Sequence, residues 1–296
     1  MLKKPATRAN ILMLITAMIW GSTFLGQNIA MNDMGPFIFS GIRFLLGSIV
    51  LLLILLLYIK QRKLTLSQIF PQKTIIGGIL LGIILTLGIN LQQIGIQYTT
   101  ITNSGFITGL YVILVPIIGL FVKQKTNKGT WLGAILATIG MGLLTITNHL
   151  TINLGDLITL ISAFAWAFHV LLAGFLVTRY DPIAVAFIQC LVCASISILI
   201  AIPTEGLNIH FTTPTVLAIL FTGIISVAIS FTLQLIAQQD AVPSHAAIIL
   251  SLEAVFAAIC GALFLHESLT ARGYVGCGLM FAGMIIAQIW QDKKTE

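Results

Sequence analysis

Apolar residues run along this chain in long, unalternating stretches, roughly 10–30, 36–59, 74–97, 101–122, 129–147, 154–178, 182–202, 214–238, 243–265 and 271–290. A helix needs about 20 apolar residues to cross a bilayer core about 30 Å thick. Only helices and closed barrels satisfy their backbone groups in lipid, and runs that do not alternate exclude barrel strands. The pattern predicts an all-α membrane protein of ten transmembrane helices, with the lipid bilayer as its surroundings. The third and fourth runs are separated only by Tyr98-Thr99-Thr100, which predicts a tight hairpin.

The runs repeat. Trp20, Pro36 and Arg43 recur as Trp166, Pro182 and Gln189 at an offset of 146. Leu91-Gln92-Gln93-Ile94 recurs as Leu233-Gln234-Leu235-Ile236 at an offset of 142, and Gly133, Gly140 and Met141 recur as Gly276, Gly283 and Met284 at 143. This predicts two five-helix repeats, 1–148 and 149–296. Five is odd, so the second copy enters the membrane from the opposite side. Inverted-topology repeats around a central cavity are a recurrent transporter plan with the substrate near the midplane.

Composition agrees with a lipid solvent. The 296 residues are 58% hydrophobic and 8% charged, against about a quarter charged in soluble domains. The charges are placed unevenly. With the N-terminus inside, Lys3, Lys4, Arg8, Lys60, Arg62, Lys63, Lys73, Lys123, Lys125, Lys128, Arg179, Lys293 and Lys294 are all cytoplasmic, 13 of the 15 Lys and Arg. The positive-inside rule therefore predicts cytoplasmic termini. The net charge of +6 is a topology signal, and no nucleic-acid partner is expected. The first apolar run reads as a retained span, not a cleaved leader. The four cysteines, Cys190, Cys193, Cys260 and Cys277, lie in apolar runs and read as small packing residues. No nucleotide loop or metal motif is present, so no cofactor or metal is expected.

Polar groups at membrane depth are costly and face the interior or water. They line up at helical spacing: Thr16, Trp20, Thr23 and Gln27; Asn90, Gln93 and Gln97; Ser104, Thr108 and Tyr111; Ser162, Trp166 and His169; Ser226, Ser230 and Gln234; His245 and Glu253. The stripes fall on three helices of each half, which predicts six cavity helices and four outer supports. The candidate solute-binding residues are Trp20, Asn90, Gln93, Tyr111, Trp166, His169, Gln234 and Glu253. Glu253 lies about ten residues into its run, about 15 Å deep at 1.5 Å per residue. Three roles are open to it: proton coupling, binding a cationic or amine-bearing solute, and structural anchoring by hydrogen bonds. Arg43 reads as structural, its side chain snorkelling to the interface, and a pair with Glu253 is open. Pro116 predicts a kink in the fourth run. The spacings Gly78-x-x-x-Gly82, Gly105-x-x-x-Gly109 and Gly129-x-x-x-Gly133 read as close helix packing.

Trp20-Gly21-Ser22-Thr23-Phe24 resembles the opening of the EamA domain, and Gly41-Ile42-Arg43-Phe44-Leu45 resembles its second span. Ser251-Leu252-Glu253-Ala254-Val255-Phe256, with Leu265-His266-Glu267-Ser268-Leu269 and Gly276, resembles its closing pattern. Taken together, the chain resembles the ten-helix members of the drug/metabolite transporter superfamily over essentially its whole length. It departs in having Glu253-Ala254 where the family usually has Glu-Pro, and Lys123-Gln124-Lys125 where a Glu is usual. The resemblance implies a plasma-membrane permease, frequently an exporter, of small organic solutes such as amino acids or metabolites. The expectation is a secondary transporter working by alternating access, not an enzyme. The competing readings are an intramembrane enzyme on a lipid-linked substrate and a non-transporting scaffold.

Overall fold

A computed structural model describes residues 5–99, 101–124, 126–145, 153–206, 210–264 and 270–290. Thr100, the loop 265–269, and Lys3, Lys4, Lys125, Lys293 and Lys294 lie outside the described residues. Every regular element described is helical. The first half runs α1 (Pro5–Ala30), α2 (Pro36–Arg62), α3 (Leu66–Ile69), α4 (Gln72–Tyr98), α5 (Ile101–Gly109), α6 (Tyr111–Phe121) and α7 (Lys128–Thr145). The second half runs α8 (Leu154–Val177), α9 (Pro182–Thr204), α10 (Thr213–Leu220), a π-helical stretch Phe221–Ser230, α11 (Phe231–Gln238), α12 (Pro243–Leu250), α13 (Glu253–Phe264) and α14 (Ala271–Ile289).

Among the described residues, nine stretches are long and apolar enough to cross a bilayer. Three of them are composite, joining α5 to α6, α10 through the π stretch to α11, and α12 to α13. The fifth apolar run forms α7, but its 18 described residues open on Lys128, which lowers the apolarity of so short a helix. The outward faces match lipid: α2 leaves Leu52, Leu53, Leu56 and Leu57 exposed. The helix ends are satisfied locally. Asp181 caps α9 through the amides of Ile183 and Ala184, and Asn153 with Asp156 forms a reciprocal capping box at α8. Lys60 and Arg62 occupy the last turn of α2, where the helix dipole favours cations.

Small residues set the closest approaches. A Cβ on Gly133 would lie 2.6 Å from the Gly283 carbonyl, and one on Gly140 would lie 2.5 Å from the Gly276 carbonyl. Thus α7 and α14 meet backbone to backbone. Gly78 and Gly82 bring α4 onto Ile188, Gln189 and Val192 of α9. The spacing therefore serves packing here and at Gly109 and Gly129, whereas a Cβ on Gly105 would meet nothing within 4 Å.

Two acidic residues tie the halves together at one end of the bundle. The Glu205 carboxylate accepts from the amides of Phe37 (2.9 Å) and Ile38 (2.8 Å), at the start of α2. Asp33 accepts from the hydroxyls of Thr212 and Thr215, at the start of α10. Carboxylates at helix N-termini answer unpaired amides and the positive end of the dipole.

The spans are interrupted at three places. At Leu110, between α5 and α6, the Leu110 amide bonds Ile107 O and the Ile113 amide bonds Leu110 O. At Ser251-Leu252, between α12 and α13, the Leu252 amide bonds Ile249 O and the Ala254 amide bonds Ser251 O. Both are tightened, three-residue turns. The third is the π stretch. α6 runs through Pro116, and the break in this span lies upstream at Leu110, beyond the turn that a proline disturbs.

Candidate functional site

The interruptions border a small cavity lined by residues of both halves. In the first half α1 contributes Trp20, Thr23, Phe24 and Gln27; α2 contributes Arg43 and Phe44; α4 contributes Ile89 and Gln92; and α6 contributes Tyr111. The second half contributes Trp166 from α8, Ser226 and Val227 from the π stretch, Phe231 from α11 and Glu253 from α13. Both halves wall the space, and residues beside all three interruptions face it.

Of the eight candidate residues, the cavity brings together Trp20, Tyr111, Trp166 and Glu253. Asn90, Gln93, His169 and Gln234 lie outside its lining. Asn90 donates to the Ser197 hydroxyl at 2.8 Å, and His169 Nε2 meets Gln189 Oε1 at 2.8 Å, so both face α9. Gln93 and Gln234 are fully buried with no partner for either amide atom. On α4 it is Gln92 that lines the cavity, donating to Thr108 at 3.1 Å. One residue turns a helix by about 100°, so Gln92 lies off the stripe that spacing drew through Asn90, Gln93 and Gln97, and it is this neighbouring face that meets the cavity. Assignment of the second run to outer support is also corrected, because α2 supplies Arg43 and Phe44.

Aromatic rings form the floor. The ring centroids of Trp20 and Trp166, counterparts in the sequence repeat, are 5.7 Å apart. Phe231 packs 5.0 Å from Trp20 and stacks on Trp166 at 6.2 Å with an interplanar angle of 9°. Phe44 lies 5.8 Å from Phe231. Both indole N–H groups are buried without a hydrogen-bond partner. Phe44 and Phe231 are absent from the sequence-based candidates because an apolar ring in an apolar span carries no signal of its own.

Tyr111 and Glu253 form a second pair of repeat counterparts. Each is the first residue of the later segment of its interrupted span. The buried Tyr111 hydroxyl lies beside the Glu253 carboxyl without closing a hydrogen bond of normal geometry. Gly21 makes this placement fit. A Cβ there would stand 2.6 Å from Glu253 O, 2.6 Å from Phe256 Cβ and 2.7 Å from the Ala257 amide nitrogen. The Gly of the Trp20-Gly21-Ser22-Thr23-Phe24 motif thus lets α13 cross α1 one residue from Trp20.

Arg43 does not snorkel. It is 1% exposed, lines the cavity, and its Nε and Nη2 have no hydrogen-bond partner. Phe39 and Phe44 lie 4.9 and 5.4 Å from its guanidinium carbon. Its charge within a span was a signal visible in the sequence.

Among the described residues no cluster of His, Cys, Asp and Glu could hold a metal ion, and the four cysteines are free. The polar groups suit hydrogen bonding and charge recognition of a small molecule held against aromatic walls.

The described helices form a multi-pass bundle that encloses this cavity. The EamA-like transporter family model matches residues 7–146 and again 153–288, and the chain belongs to that family. An uncharacterized transporter of Archaeoglobus fulgidus is 31% identical over 282 residues, 95% of this chain and 86% of that protein. The uncharacterized transporter YoaV of Bacillus subtilis is 24% identical, covering 91% of this chain and 92% of its own. The uncharacterized inner membrane transporter YedA of Escherichia coli is 30% identical over 155 residues, 51% of this chain and 48% of that protein. A solved crystal structure superposes with a TM-score of 0.79 at 17% identity, covering 95% of this chain and 96% of the other, a likeness of fold.

Proposed function

We infer that the cavity is the solute site of a secondary transporter that works by alternating access. In this reading it exports small organic solutes such as amino acids or other metabolites across the plasma membrane. The carrying observation is that two pairs of repeat counterparts, Trp20 with Trp166 and Tyr111 with Glu253, meet at the cavity. A residue that touches its own counterpart lies on a twofold axis. The glycine contacts support the same relation: Gly133 meets Gly283 while Gly140 meets Gly276, the reciprocal exchange that twofold symmetry produces. We therefore take 1–148 and 149–296 as inverted repeats, with α7 as the tenth span. Both termini are cytoplasmic in this reading, as the positive-inside rule requires.

Alternating access in inverted repeats is a rocking of one bundle on the other about a midplane site. The tightened turns before Tyr111 and at Ser251-Leu252, together with the π stretch, put irregular backbone beside the cavity, where such motion has to be absorbed. Glu253 is the candidate proton-coupling group. The test is counterflow in proteoliposomes, screened over amino acids and common metabolites. A solute exchanged by the wild type and lost in Trp166→Ala, with the variant still monodisperse, is the expected result. Flux that survives Trp166→Ala and Glu253→Gln unchanged would remove the cavity assignment.

A further inference from the structure

The geometry points to Arg43 as the anchor for a carboxylate on the transported solute, so that the cavity selects small organic acids with an apolar body. This rests on the reading of the cavity as the solute site and narrows its chemistry.

A charge this deep in a membrane bundle is ordinarily paired. Arg43 is 1% exposed and faces the cavity, yet its Nε and Nη2 have no partner. Glu253 borders the same space and leaves both nitrogens unpartnered. Phe39 and Phe44 lie at cation–π distance from the guanidinium carbon and offer its N–H groups no hydrogen-bond acceptor. The unmet groups are its in-plane N–H donors. Their fork matches the two oxygens of a carboxylate.

Comparison of the two halves strengthens the assignment. The repeat counterparts of Thr23 and Arg43 are His169 and Gln189, at the same offset of 146. In the second half these two close on each other, Nε2 to Oε1 at 2.8 Å, away from the cavity. In the first half the short Thr23 donates to Ile19 O of its own helix at 2.8 Å, and Arg43 is left open. One half thus fills internally a position that the other keeps as an unpaired cation beside empty space.

The neighbours define the remainder of the solute. Phe44 touches Phe231, which touches Trp20, so an aromatic wall begins next to the guanidinium. A carboxylate held at Arg43 would place an adjoining aliphatic or aromatic group on that wall.

The experiment uses the full-length protein in nanodiscs of phosphatidylcholine alone, which removes anionic headgroups as a source of the ligand. Tryptophan fluorescence is titrated with 4-methylpentanoate and L-leucine, and with the matched alcohols 4-methylpentan-1-ol and leucinol. The acids should saturate with an affinity at least about tenfold higher than the alcohols. Arg43→Gln should abolish that preference, and Arg43→Lys should keep it at reduced affinity, because ammonium is a point charge without the fork. Alcohols binding as well as acids, or Arg43→Gln binding acids like the wild type, would overturn the assignment. If Arg43→Gln is not monodisperse, the acid-to-alcohol ratio in the wild type and Arg43→Lys decides. Flux of uncharged or cationic solutes through a Trp166-dependent path, without binding of the acids, would sink the inference and leave the transporter reading standing. No flux of any solute, with Trp166→Ala silent, would sink both.

Discussion

Tyr111 and Glu253 open the later segments of two interrupted spans, and their side chains lie next to each other at one cavity. They occupy equivalent positions in the two halves, yet one is a phenol and the other a carboxylic acid. On the transporter reading proposed above, this difference in chemistry between the halves would give a solute one preferred orientation.

Removing the carboxyl should separate chemistry from fold. Glu253→Gln keeps the volume and should leave thermal stability unchanged within about 1 kcal/mol. Counterflow should fall at least about tenfold, and its dependence on pH should disappear. Tyr111→Phe should keep the pH dependence and change solute affinity. The measurement is flux in proteoliposomes at fixed solute gradient with the pH varied on both sides. Undiminished, pH-dependent flux through Glu253→Gln would assign coupling elsewhere.

Gly21 should tolerate no side chain. Its added Cβ would meet backbone atoms of Glu253 and Ala257 and the Phe256 Cβ, all within 2.7 Å. These atoms have no rotamer to change, so Gly21→Ala has to push α1 from α13. The expected cost is about 1–3 kcal/mol with loss of solute binding. Gly278→Ala is the control, because a Cβ there meets nothing within 4 Å. It should be neutral or slightly stabilising from helix propensity. Thermal unfolding in detergent compares the two.

The Trp20–Trp166 contact should show up as energetic coupling. A double-mutant cycle with Trp20→Ala and Trp166→Ala should give an interaction of about 0.5–1.5 kcal/mol in stability. Additive losses would mean that the rings do not share a packed contact in the membrane.

At the bundle end, Asp33 should make the anchoring of α10 sensitive to acid. Hydrogen bonds from Thr212 and Thr215 hold its carboxyl below the ordinary value of 3.8. A depressed folded pKa contributes stability that is present above 3.8 and is lost as pH falls through the lower folded value. Protection of the amides in the first turn of α10 should therefore fall progressively as pH drops from 3.8 towards the lower folded value. Asp33→Asn should quicken exchange there at neutral pH and flatten the acid response. Hydrogen exchange by mass spectrometry on 210–220 measures both.

Much of this arrangement was legible in the chain. Span positions follow from run length, because lipid forbids unsatisfied backbone over that distance. The pairing of Trp20 with Trp166 and of Tyr111 with Glu253 follows from the offsets. Helical spacing also singled out α1, α6, α8 and α13 as bearers of cavity residues. The failures have physical causes. Periodicity joined Gln93 to Asn90 and Gln97, but α4 is rotated so that the neighbouring face, carrying Gln92, meets the cavity. His169 and Asn90 sit on the expected helices, but partners on α9, distant in sequence, draw their side chains away. Arg43 was visible as a costly charge, but whether it reached the interface or the interior depended on which way α2 faced.

The sequence by itself determined the solvent of this protein, its helices, its internal repeat and the identity of the residues where the two halves differ. These depend on composition, run length and offset, which are properties of the chain alone. Only the tertiary structure decided that Gly21 lets Glu253 come beside Tyr111, that Phe44 and Phe231 complete the aromatic floor, and that Arg43 faces the cavity unpaired. Each of those outcomes depends on how one helix is rotated against another, and that rotation is set by contacts between residues more than a hundred positions apart.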